Sequence, residues 1–175
     1  YRIIIMANLI DLKGISPKIS DSAWVADNAT ISGDVYVGEG SSIWFQVVIR
    51  GDVNTIKIGN NTNIQDHSMV HGSTGGIDTI IGNGVTVGHR AIIHGCTIHD
   101  DVLIGMGAIV LDEAIVESNV IVAAGAVVTG GKVLESGYIY AGIPAKKIKA
   151  ISPEMIQSYI KDGAQGYVEN KELYR

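Results

Sequence analysis

An aliphatic residue returns at every sixth position through most of this chain. Val25, Ile31, Val37, Ile43 and Ile49 open the series. Ile58, Ile64 and Val70 continue it, then Ile81, Val87 and Ile93. Ile98, Ile104, Val110, Val116, Val122, Val128, Leu134 and the aromatic Tyr140 complete it. A small or β-branched residue stands four positions after most of them, as at Ala29, Val35, Val53, Thr74, Ala91, Thr97 and Ala126, with Lys132 the exception. A period of six matches no face of a 3.6-residue helix, but it is a multiple of the two-residue strand period. The aliphatics therefore share one side of short strands, and a fixed short repeat predicts a solenoid. The 22 glycines suit its many tight turns.

The hexads resemble those of the hexapeptide-repeat family, over residues 23 to about 142. The resemblance implies a left-handed parallel β-helix of triangular section with three hexads to a coil, an exception to the usual right-handed crossover. Nineteen hexads then give roughly six coils and a prism about 30 Å long at the inter-strand spacing. One aliphatic per face per coil fills so narrow an interior, so any binding site lies outside it. The expected organisation is an N-terminal segment 1–22, with residues 1–5 ahead of Met6 read as foreign or as an alternative start, a β-helix over 23–145 and a C-terminal helical segment over 146–175. Ser152-Pro153-Glu154 reads as a helix start with a hydroxyl N-cap. Ile156, Tyr159, Ile160, Tyr167 and Val168 are expected along the side of the prism, with a kink or break at Gly163 and Gly166.

A net charge of −5 argues against a nucleic-acid partner. The single cysteine, Cys96, forms no intrachain disulfide, which fits the cytoplasm, and reads as a packing residue. The apolar start is too short to span a membrane.

The spacing slips three times: residues are inserted around Val53 to Thr55 and in Gly72 to Asp78, and one is missing near Gly95-Cys96. Insertions in a solenoid appear as loops on one edge. Counting hexads in threes places Arg50, His71 and His94 in one column on successive coils, and Asp66 beneath His89 on the adjoining face. One face does not bring all three imidazoles to one ion, but a neighbouring copy does. Closing that head-to-tail contact on a triangular prism points to a threefold ring. Three neutral imidazoles suit Zn²⁺ or Fe²⁺ and leave a position open for water, as in catalytic rather than structural sites. His67 and His99 fall outside these columns and read as surface residues.

The strings Ile49-Arg50-Gly51-Asp52, Asn63-Ile64-Gln65-Asp66 through His71, and Val87-Gly88-His89 through His94-Gly95-Cys96 resemble those of gamma-class carbonic anhydrases. The resemblance implies a homotrimeric, metal-dependent lyase that hydrates CO2 to bicarbonate. It makes His71, His89 and His94 the ligands of Zn²⁺, with Fe²⁺ or Co²⁺ as substitutes. It makes Gln65 the residue that orients hydroxide or CO2. Arg50, Asp52 and Asp66 become ion-paired residues that order the site, and Tyr167 a C-terminal residue near the substrate. The chain departs from that class in three places. Val53 stands where the best-studied members have glutamate. The loop Gly72-Ser73-Thr74-Gly75-Gly76 lacks their acidic proton shuttle, and Glu169 replaces an asparagine. Hydration exports a proton each turn, so slow turnover is expected. The alternatives are a hexapeptide-repeat acyltransferase or acyl-thioester hydrolase, and a non-catalytic trimer that binds a metal or an iron chelate.

Overall fold

The computed structural model describes residues 7–175, so the expectation for residues 1–5 lies outside the described residues. The hexads form short parallel strands wound into a left-handed, three-faced β-solenoid. The third face is an eight-stranded sheet. Seven of its strands are parallel and run from Trp24–Val25 through Asn63–Ile64 and Thr86–Val87 to Tyr138–Ala141. Lys146–Ala150 closes it in the antiparallel sense. The stack thus has seven coils rather than roughly six. Asn8–Ile10 and Lys18–Ile19 pair in parallel with Thr30–Val37, ahead of the first hexad counted.

Two-residue strands have no stability of their own, and stacking supplies it. Ile49 pairs with Val70, Val70 with Ile93, Ile93 with Val110 and Val110 with Val128, and all five are fully buried. Each such side chain contributes about 1.5–3 kcal/mol by leaving water.

The small inner residues need a correction where the spacing slips. Val53 is 38% exposed, Thr74 is exposed and Thr97 is half-buried. Ile56, Thr79 and Cys96 take their places inside. Each stands two residues before the next aliphatic, because the approach to the coming strand sets the corner and inserted residues bulge out ahead of it. Burial pushes the Cys96 thiol up to about 12, so it packs as a neutral group.

The insertion at Val53 to Thr55 makes no separate loop. It is absorbed into one bent strand, Val48–Ile58, which follows Thr30–Val37 around a corner with a register shift between Gly33 and Val35. Gly33 has φ +74° there, and an added Cβ would strike the Gly51 carbonyl. The second insertion does form a loop, between Met69–His71 and Thr79–Ile81.

Ser152 caps the C-terminal helix by accepting the Met155 N–H at 3.3 Å. The expected break at Gly163 and Gly166 is absent, since both lie inside the α-helix Asp162–Asn170. The irregularity falls earlier, as a wider π-helical segment over Ile156–Lys161. There Ile160 is fully buried against Ile121 and Ile151, and this packing outweighs the glycine propensities. Tyr159 is 59% exposed and does not dock. At the far end Lys171 is buried and donates to the Gly40 carbonyl at 3.0 Å, while Arg175 donates to the Ser22 carbonyl at 2.8 Å. The helix therefore straps the third face from the last coils to the first. None among the described residues is long and apolar enough to cross a membrane.

Ile98 points inward and Ile115, one coil on, points out at 37% exposure. Ile98→Ala is expected to lower the free energy of denaturant unfolding by about 2–5 kcal/mol, and Ile115→Ala by far less. Equal losses would contradict this facing.

Candidate metal centre

His71 ends the strand Met69–His71 and His94 ends Ile92–His94, and the two are Cα partners on the first face. Parallel pairing without a slip brings their rings together, with centroids 5.2 Å apart and planes at 66°. Arg50 follows Ile49, which pairs with Val70, so it extends the same column. His89 stands apart, two residues past Val87 on the third face, whose sheet does not include the strands of His71 and His94. Val87 pairs with Ile64, and this sets Asp66 under His89.

Each imidazole leans on its own carboxylate. His71 Nε2 lies 2.9 Å from Asp52 Oδ1, His89 Nδ1 lies 2.9 Å from Asp66 Oδ2, and His94 Nδ1 lies 3.0 Å from Asp112 Oδ2. Arg50 donates to the other Asp52 oxygen at 2.7 Å. Burial raises the Asp52 carboxyl, but the His71 hydrogen bond and the Arg50 charge outweigh it and hold the group below its ordinary value. Asp112 is likewise held down against burial, by hydrogen bonds from His94 and Ser73. Carboxylates placed this way fix ring orientation and make the opposite nitrogen a better donor. Nδ1 of His71 and Nε2 of His89 and His94 remain for another partner. This donor set fits a divalent metal. Within one chain, no three His, Cys, Asp or Glu side chains converge among the described residues.

Gln65 is 5% exposed, and its amide NH2 donates to Asn63 Oδ1 at 3.0 Å. Asn63 in turn donates to Thr86 at 2.9 Å. This polar row fixes the Gln65 head group and leaves its oxygen to accept. Tyr167, on the strap helix, meets Trp44 edge-on at 5.3 Å. Burial, then the Asp66 charge, pushes its phenol up, so it stays protonated at neutral pH. Tyr167, Trp44 and Asp66 border a cavity of about 460 Å³.

His67, at a left-handed corner with φ 62°, and His99 are exposed and outside these groups. Sequence reasoning missed Asp112, Asn63 and Trp44. A signal existed for Asp112. It stands two residues past Val110, the partner of Ile93, at the offset by which Asp66 follows Ile64. Asn63 and Trp44 directly flank hexad aliphatics, and only the docked helix gives them meaning.

The profile of the bacterial transferase hexapeptide family (six repeats) matches residues 16–51 and 95–130. Gamma carbonic anhydrase 2, mitochondrial, of Arabidopsis thaliana is 43% identical over 164 residues, which are 91% of this chain and 59% of that protein. The chain thus spans about three fifths of that relative's length. Protein YrdA of Escherichia coli is 43% identical over 168 residues, 93% of this chain and 91% of YrdA. A solved hexapeptide transferase family protein from Anaplasma phagocytophilum superposes with a TM-score of 0.91 at 41% identity, covering 96% of this chain and 98% of that one. With coils, histidine columns and relatives in agreement, the chain belongs to the hexapeptide-repeat transferase family, as a gamma carbonic anhydrase-like member.

Proposed function

We propose that three copies of this chain bind a divalent metal, Zn²⁺ by preference, between His71 and His94 of one copy and His89 of the next, and hydrate CO2 to bicarbonate there. The observation that carries this reading is the carboxylate behind each imidazole, on rings that stand on two different faces. The gamma carbonic anhydrase relative supports the reaction class. An outward row on the first face, Val48, Met69, Ile92, Ile109 and Val127, is apolar, with Ile92 38% exposed. A second copy covering this row supports the trimer.

Held by His71, His94 and the next copy's His89, the metal would supply hydroxide at neutral pH by lowering the pKa of water to about 7. The chain's own residues do the rest. Asp52, Asp66 and Asp112 hold the rings in orientation. Gln65, locked by Asn63, presents its oxygen to a proton on the nucleophile. Tyr167 keeps its proton and offers a hydrogen bond to the product oxygen. Proton export is the weak step, because Val53 and the 72–76 loop provide no carboxylate. Acyl transfer or acyl-thioester hydrolysis is the second reading, supported by the transferase family of the solved neighbour. A stopped-flow hydration assay run beside a thioester panel separates the two.

Neither His89→Ala nor His71→Ala alone should retain metal by elemental analysis. Co-expressed, the two variants should regain about a quarter of the sites, the fraction expected for random trimers with shared centres. Full occupancy in His89→Ala would sink the shared site. Asp112→Asn, which frees the His94 ring, is expected to weaken metal affinity about 10–100-fold, as read by chelator competition. Val53→Glu should speed hydration in dilute buffer and change little in concentrated buffer. Equal rates in both would remove proton export as the limit.

A further inference from the structure

The cavity beside Asp66 is walled by more aromatic surface than a three-atom substrate requires. Trp44, Phe45, Tyr167 and Tyr174 border it, with Leu173 at its mouth. The rings are not stacked flat. Trp44 stands at 86° to both Tyr167 and Tyr174 with centroids 5.3 Å away, and Phe45 at 68° to Tyr174 at 5.6 Å. At these distances the rings touch one another, so they form a packed aromatic wall that turns its remaining faces and edges to the cavity. Two of these apolar groups stay largely uncovered, Tyr174 at 53% and Leu173 at 81% exposure.

Volume and charge narrow the guest. About 460 Å³ lies within the range of pockets that hold organic ligands. The polar groups here are Asn170, Asp66 and the hydroxyl ends of the two tyrosines, and the Asp66 carboxylate is already engaged by His89. Among the described residues no lysine or arginine lines the cavity, so none of them neutralises an anion there. We propose that this cavity is a subsite for a flat, uncharged aromatic group, held beside His89 with its polar end toward Asn170. The proposal rests on the metal reading only for what lies next to the guest. Binding of the ring itself needs no metal.

Both tryptophans of the chain, Trp24 and Trp44, belong to the cluster, with rings 4.9 Å apart, so tryptophan emission reports on the cavity directly. The test titrates the full chain, metal-free and zinc-loaded, with N-phenylacetamide, and with acetamide and benzoate as controls. A saturable emission change is expected with N-phenylacetamide in both forms, none with acetamide, and weaker binding of benzoate. Tyr174→Ala and the bulk-preserving Tyr174→Leu should each weaken the affinity about tenfold, while Trp24→Phe keeps the response through Trp44. A response from protein that takes up no zinc supports the subsite and counts only against the metal centre. Absence of a saturable change in both forms, an equal response to acetamide, or unchanged affinity in both Tyr174 variants would overturn the proposal.

Discussion

Everything in this molecule depends on one coil sitting on the next without slipping. Inter-coil hydrogen bonds allow many registers, but side chains alternate in and out with a period of two. A slip of one residue would turn Ile49, Val70, Ile93 and Val110 outward and bring Arg50, His71 and His94 into a core with no room or partner for them. The cost of burying polar groups unpaired therefore enforces the histidine column as strongly as aliphatic burial does. The site is rigid because it is a by-product of the core.

The same register supplies the second layer of the site. Asp66 and Asp112 stand two residues past a hexad aliphatic, where the chain leaves the strand and turns a corner, and Asp52 stands three past Ile49, inside the bent strand Val48–Ile58. From there each carboxylate reaches the imidazole of a neighbouring coil at 2.9–3.0 Å. At Gly95, an added Cβ would strike the Asp112 carboxylate, so the bare turn is part of how His94 is held. Strand ends and corners carry the candidate site because they combine close coil contact with freedom from the inward aliphatic rule.

The strap helix adds what the coils cannot. It crosses the third face, seals the polar row Ser42, Asn63 and Thr86, and pins its far end through Lys171 and Arg175. This brings Tyr167 and Tyr174 against Trp44, a contact between residues more than a hundred positions apart in sequence. The prism interior remains filled, and the aromatic cavity lies between the strap and the outer wall.

A six-residue period was enough to specify a coiled stack, most of its inward residues and the columns of Arg50, His71, His94 and of Asp66 with His89, because strand alternation is a local rule, but not the coil that Asn8–Ile10 and Lys18–Ile19 add ahead of the first hexad. The same ruler reaches Asp112 when its offset is applied. What it misplaced lies at slips: Val53, Thr74 and Thr97 gave way to Ile56, Thr79 and Cys96, since an insertion shifts the corner toward the strand that follows. Gly163 and Gly166 did not break the helix, since burial of Ile160 decides its path more than propensity does. The Asn63–Gln65 bond joins same-facing neighbours two residues apart, a local consequence of strand alternation, whereas the aromatic cavity was decided by tertiary structure alone. It arises where a helix docks on a sheet, and nothing in local spacing encodes which face a distant segment will cover.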